Sequence, residues 1–169
     1  KHIYVEKPLA ISLEEIDQIE KAIVDYRFSK SIWVGFNRRY SPLSRKLKSL
    51  LDSTIGPKQM VYTVNALQLP DSHWIQEPSQ GGGRIVSELG HFLDLLRYFA
   101  DCPVVEFSVS KVSGEIQDFC NSLSVSLKFE DGSLGTLIYS TLGNRSYPKE
   151  KLQIFAGEKV ALIDNFKTL

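Results

Sequence analysis

Two side chains have the type and the setting to move a proton: Lys7, in Glu6-Lys7-Pro8, and His91, within the amphipathic stretch Ser87–Ala100. Lys7 ends the run Lys1-His2-Ile3-Tyr4-Val5, which reads as a strand, and parallel sheets hold ligands at the carboxyl ends of their strands. An ammonium placed there can hydrogen-bond a substrate hydroxyl and, once desolvated, exchange a proton near neutral pH. The plainer alternative is a surface lysine beside a turn proline. His91 sits on a helix expected over Ser87–Ala100, whose apolar stripe is Leu89, Phe92, Leu93, Leu96 and Phe99. At about 100° per residue, Ser87, His91, Asp94 and Tyr98 share the opposite side. Asp94 lies one turn beyond His91, within reach to orient the imidazole, and a histidine so held passes a proton near neutral pH. The competing reading is a solvated face with an incidental histidine.

Other candidates surround this pair. Gly81-Gly82-Gly83 reads as a flexible hinge that delivers the helix N-terminus with His91 in its second turn. It is not a phosphate loop, because no strand with Gly-x-Gly-x-x-Gly precedes it and no Gly-Lys-Ser/Thr follows. Arg38 and Arg39, before Tyr40, stand at the junction of two regions, where paired arginines suit carboxylate or phosphate recognition; surface charge is the alternative. His73 and Trp74 lie in a long glycine-bounded loop that could cover a substrate, or Trp74 could plug a core edge. Cys102 and Cys120 lack metal-ligand spacing and read as small buried thiols, so no metal site is expected.

The elements that must position these residues change character along the chain. Lys1–Val5, a helix opened by Ser12 and Glu15 as a capping box, and a strand over Ser31–Phe36 form a βαβ unit, with Ile16, Ile19 and Ile23 on one helix face. Two parallel strands cannot bury both faces of their sheet, and the chain begins without Met, so residues 1–37 are expected to be the terminal βαβ remnant of a larger doubly wound domain, which the resemblance given below implies is of Rossmann type. Residues 38–169 are expected to be an α+β substrate or oligomerisation domain, truncated at its C-terminal end. It would hold a helix from Ser41 to about Leu51, a strand over Gln59–Leu67, a loop from Gln68 to Arg84, the His91 helix, and then mainly strands. In Asn121–Phe129, Leu123, Val125, Leu127 and Phe129 alternate with serines and Lys128, and turns at Asp131-Gly132 and Gly157-Glu158 close two hairpins. The fold class is therefore α+β: an α/β remnant plus a mixed, largely antiparallel open sheet with helices on one face.

Bulk properties narrow the partners. Among 169 residues, 43% are hydrophobic and 20 basic balance 20 acidic ones, so a packed core is feasible and no basic field is offered to nucleic acid or anionic membrane. No apolar run approaches the roughly 18 residues of a membrane span and no signal-peptide pattern opens the chain, so a cytoplasmic location and a small-molecule or subunit partner are expected.

Glu6-Lys7-Pro8, then Val34-Gly35-Phe36-Asn37-Arg38-Arg39-Tyr40-Ser41-Pro42, then Gly81-Gly82-Gly83 leading to His91-Phe92-Leu93-Asp94-Leu95-Leu96, resemble the glucose–fructose oxidoreductase, inositol dehydrogenase and MocA-like (Gfo/Idh/MocA) family. The resemblance covers nearly the whole chain. It implies a sugar-like substrate and NAD or NADP, bound mainly by an N-terminal Rossmann domain absent here, with Glu6, Lys7 and Pro8 closing the nicotinamide site. It also implies that Lys7 and His91 act on the substrate hydroxyl during hydride transfer, and that the sheet associates with a second copy. On that ground the chain alone should bind dinucleotide weakly and be inactive. His73-Trp74 and the glycine triplet further resemble the branch fused behind a zinc-type alcohol dehydrogenase domain. Many family dehydrogenases carry Asp four residues before the histidine, whereas Ser87 stands there and Glu88 follows. The departure leaves open an inactive ligand-binding or regulatory member, or an NAD-dependent glycoside-cleaving relative, with Glu88 as a possible substitute acid.

Overall fold

The computed structural model describes residues 1–70, 72–113 and 121–169. Cys120 lies outside them, and Cys102 is a free, half-buried thiol instead of a buried one. The chain forms two compact units, one of residues 1–37 and 70–91 and the other of residues 38–69 and 92–169.

In the first unit β1 (Ile3–Val5) and β2 (Ile32–Val34) pair in parallel, Ile3 with Ile32 and Val5 with Val34, and α1 (Leu13–Asp25) connects them. Ser12 caps α1, its hydroxyl accepting the Glu15 N–H at 3.2 Å. The expected box closes one residue early: the Glu15 carboxylate takes the N–H of Ile11, at 2.8 Å, and not that of Ser12. Ile16, Ile19 and Ile23 are the half-buried stripe that helical spacing requires.

The segment expected to be one long loop carries structure of its own. His73 caps a single 3-10 turn over Trp74–Gln76, and α3 (Pro78–Gly81) follows at once. The long helix α4 (Gly83–Ala100) then begins four residues ahead of the expected Ser87. Two glycines of the triplet sit in close quarters between α3 and α4. A Cβ on Gly81 would lie 2.5 Å from the Ile75 carbonyl oxygen, and Gly82 holds the left-handed φ of 67° that ends α3.

The second unit is a six-stranded open sheet in the order β4-β5-β6-β3-β7-β8, with α2 (Pro42–Leu51), capped by Ser41, preceding it. The strands are β3 (Gln59–Asn65), β4 (Val104–Lys111), β5 (Leu123–Phe129), β6 (Leu134–Ser140), β7 (Glu150–Ala156) and β8 (Lys159–Asp164). β3 and β6 pair in parallel and all other neighbours are antiparallel, so the sheet is mixed, as expected. Period-two alternation sends Met60, Tyr62 and Val64, then Leu123, Val125 and Leu127, and Leu152 and Ile154, into one buried face. α4 supplies Phe92, Leu95, Leu96 and Phe99 to this core, and Phe92 meets the rings of Tyr62 and Tyr139 at 5.4 and 5.9 Å. The expected stripe needs correction: Leu95 is buried where Leu93 is only half-buried. Among the described residues no helix is long and apolar enough to cross a membrane.

Candidate functional site

The carboxyl end of β1 and the first half of α4 meet through Lys7. Its Nζ donates to the main-chain oxygen of Ser87 at 2.9 Å. In an α-helix that carbonyl faces the N–H four residues on, which is His91, so the ammonium is held against the turn of α4 that carries His91. His91 is only 6% exposed and Ser87 2% exposed, which replaces the solvated polar face with a buried one. The Phe36 ring stands edge-on to the imidazole, 6.1 Å between centroids. Beside Lys7, the Glu6 carboxylate accepts from the Tyr4 hydroxyl at 3.0 Å. The cis Lys7–Pro8 bond follows directly.

Ser87, which stands where the usual acid would, and Glu88, the expected substitute, are both engaged. The Ser87 hydroxyl donates to the Gly81 carbonyl, tethering α4 to the end of α3. Glu88 pairs with Arg84, a guanidinium only 4% exposed, at 3.4 Å. A buried guanidinium needs such a counter-charge.

The remaining candidates hold the second unit together or belong to the Trp74 turn of the first unit. Arg38, expected to meet a substrate anion, spends both ends of its fork on Glu150, at 2.8 and 2.6 Å, with its plane 4.6 Å above the Phe92 ring. The Tyr62 hydroxyl donates to the same carboxylate at 2.5 Å. Burial pushes the Glu150 carboxyl up, but the hydrogen bonds and charge of Arg38, with the Tyr62 hydroxyl, outweigh it and hold the group below the usual carboxylate range. Burial and the Glu150 charge together push the Tyr62 phenol well above its ordinary value. Burial opposes the charged form of Arg38, but Glu150 raises its pKa on balance. Arg39 likewise clasps both oxygens of Asp94, which raises its own pKa, and so Asp94 is committed to an arginine in place of the expected orienting of His91. In the first unit His73 Nδ1 accepts the Ile75 N–H at 3.3 Å and the ring stacks on Trp74. Trp74 is 59% exposed, so it does not plug a core edge, and Ile75 beside it is buried.

Sequence reasoning missed Glu150 and Tyr62, which complete the Arg38 cluster. Glu150 lies 112 positions from Arg38, and the only signal was an acid opening a strand at an inward-facing position. Among the described residues no three His, Cys, Asp or Glu side chains cluster as metal ligands would.

Comparison with known proteins agrees with this architecture. Residues 44–162 match the GFO/IDH/MocA C-terminal domain. The chain is 28% identical to a myo-inositol 2-dehydrogenase of Thermotoga maritima, over 99% of the chain and 50% of that protein. It is 26% identical to the uncharacterized oxidoreductase YrbE of Bacillus subtilis, over 98% of the chain and 49% of that protein. Its fold superposes on the myo-inositol dehydrogenase of Lactobacillus casei, solved in complex with NAD(H) and myo-inositol, with a TM-score of 0.73, 22% identity, and coverage of 96% of the chain and 48% of that structure. The chain thus spans about half the length of the curated relatives it matches. The finer placement beside a zinc-type alcohol dehydrogenase domain finds no support in these likenesses. With the matched domain covering most of its length and the mixed open sheet matching in three dimensions, the chain belongs to the GFO/IDH/MocA family.

Proposed function

We propose that this chain is the proton-handling and substrate-binding portion of an NAD(P)-dependent oxidoreductase. The substrate class is a sugar, polyol or nucleotide-sugar derivative oxidised at a carbinol carbon. The observation that carries the reading is the Lys7 ammonium anchored on the turn of α4 that presents a buried His91.

Glu6, Lys7 and Pro8 are the residues of the first unit that would hold a dinucleotide. They lie at the carboxyl end of a parallel strand, the position from which α/β sheets hold such ligands, and the rest of the pocket belongs to the Rossmann domain that the family resemblance implies. NAD or NADP, when bound, supplies the hydride acceptor. Lys7 Nζ holds the substrate hydroxyl, and an imidazole nitrogen of His91 takes the hydroxyl proton as the carbonyl forms. Burial excludes bulk water from that nitrogen and strengthens both interactions.

The test is NAD(H) turnover by the whole protein over a panel of polyols and nucleotide sugars, with Lys7→Ala and His91→Ala alongside. Loss of about 100-fold or more in kcat for each variant is expected. Undiminished turnover in both would refute the assignment. A second reading, a binding module without turnover, is favoured by the engagement of Ser87 and Glu88, which leaves neither poised as the usual acid. Sugar or cofactor binding with no redox change would establish it, whereas release of free sugar without net NADH would mark a glycoside-cleaving relative. Self-association is a further part of the reading: Leu134, Ile138, Phe155 and Val160 are exposed on the outer sheet face, and sedimentation at several concentrations tests it.

A further inference from the structure

The two arginines of the Asn37–Tyr40 turn are neutralised by Glu150 and Asp94, so any anion site of the second unit must be built from other cations. A cavity of about 530 Å³ opens where the end of β3, the segment before β7 and the segment after β8 come together, and Arg145, Lys149 and Lys167 line it. No Asp or Glu is among its lining residues. None of the three cations makes an ion pair among the described residues. The carboxylates adjacent in sequence are already committed, Glu150 to Arg38 and Asp164 to Lys151. In a chain with 20 acids against 20 bases, three cations lining one cavity that no carboxylate lines are a local excess of positive charge, even with Lys149 acting at longer range on Glu150.

The cations stand on an ordered frame. Asn65, 5% exposed, donates through Nδ2 to the carbonyls of Asn144 and Tyr147 at 2.8 and 3.3 Å, and its own N–H donates to the Lys149 carbonyl at 2.8 Å. Gly143 packs so closely on this amide that a Cβ there would fall 2.0 Å from Asn65 Oδ1. The segment after β8 is tied by the Asn165 N–H to the Glu150 carbonyl at 2.7 Å and by the Lys167 N–H to the Asp164 carbonyl at 2.9 Å. Backbone fixed in this way lowers the ordering cost of gathering the cations around a ligand.

We propose that this cavity binds the oxyanion, phosphate or carboxylate, of a sugar-sized ligand. Its volume lies in the range of small-molecule sites and exceeds what a free ion needs, while Asn165, Ser146 and Tyr147 offer polar partners for an uncharged body. A guanidinium with two ammonium groups suits an oxyanion, which accepts charge-assisted hydrogen bonds from both kinds of donor. This reading does not depend on redox roles for Lys7 and His91, since it concerns binding alone.

Calorimetry on the whole protein at low salt, with glucose 6-phosphate, glucuronate and glucose as probes, decides it. Glucose 6-phosphate or glucuronate should bind where glucose does not, and whichever binds names the oxyanion. Affinity should fall about tenfold or more in each of Arg145→Ala and Lys149→Ala, be kept in Lys149→Arg, and weaken as salt is raised toward the physiological range. Equal binding of glucose, no binding of either charged sugar, or unchanged affinity in both alanine variants would overturn the proposal.

Discussion

Arg38 and Glu150 meet fork to fork at 2.8 and 2.6 Å inside the second unit, with their side chains only 17% and 9% exposed. The pair joins the turn that follows β2 to the first residue of β7. Removing either partner strands a charge in a poorly solvated place, so Arg38→Ala or Glu150→Ala should cost about 3–5 kcal/mol. Urea denaturation of the single and double variants checks this. A double variant no worse than either single one is expected, and additive losses would contradict the coupling.

The same cluster sets an acid limit. The folded Glu150 carboxyl lies below its ordinary value of 4.5, so the unfolded chain takes up the proton first. The stabilisation is fully present above that ordinary value and is lost as pH falls through the lower folded value. Glu150→Gln should flatten the fall in stability between about pH 5 and pH 3. The Tyr62 phenol, raised by burial and the Glu150 charge, has the opposite sense: its contribution is present below its ordinary value of 10.0 and fades at higher pH. Thermal unfolding across both ranges, for wild type and Glu150→Gln, reads the two limbs.

Restoring the usual acid at position 87 should destabilise the chain. The Ser87 hydroxyl, 2% exposed, donates to the Gly81 carbonyl, and an ionised Asp has no proton to donate. Ser87→Asp is expected to lose about 1–3 kcal/mol, against a smaller loss for Ser87→Ala, which leaves no charge facing that carbonyl. Denaturant midpoints compare the two. An unaltered midpoint for Ser87→Asp would show that the pocket has room and solvent for the acid.

The glycine triplet should resist substitution for two separable reasons. Gly81→Ala drives a methyl into the Ile75 backbone, whereas Gly82→Ala meets the cost of a left-handed residue, about 1–2 kcal/mol, together with contact at 2.9 Å to Ile11. Gly83 has open space at its Cβ position and is limited only by its φ of 82°. Melting temperatures should therefore fall most for Gly81→Ala and least for Gly83→Ala.

Much of the architecture was legible because local rules decide it. Ser12 and Ser41 cap the helices they were expected to open, and the alternation of Leu123, Val125, Leu127 and Phe129 with polar residues fixes the buried face of β5. Gly157 and Glu158 turn β7 into β8 with φ of 51° and 62°, the left-handed pair that a two-residue hairpin demands. The 3-10 turn at Trp74–Gln76 and α3 were not legible, because each rests on a few cap bonds and a proline instead of a period.

The linear order of residues determined which side chains have chemistry to offer, namely Lys7, His91 and the paired arginines. It also determined which segments alternate or turn, since those properties are carried by neighbours along the chain. Only the tertiary structure decided what each charge faces. Glu150 and Asp94 took the arginines, Arg84 took Glu88, and Arg145, Lys149 and Lys167 came to line one cavity. Such pairing depends on distances of a few ångströms between residues far apart in the chain, and on the desolvation that makes each pairing matter, neither of which is encoded in spacing.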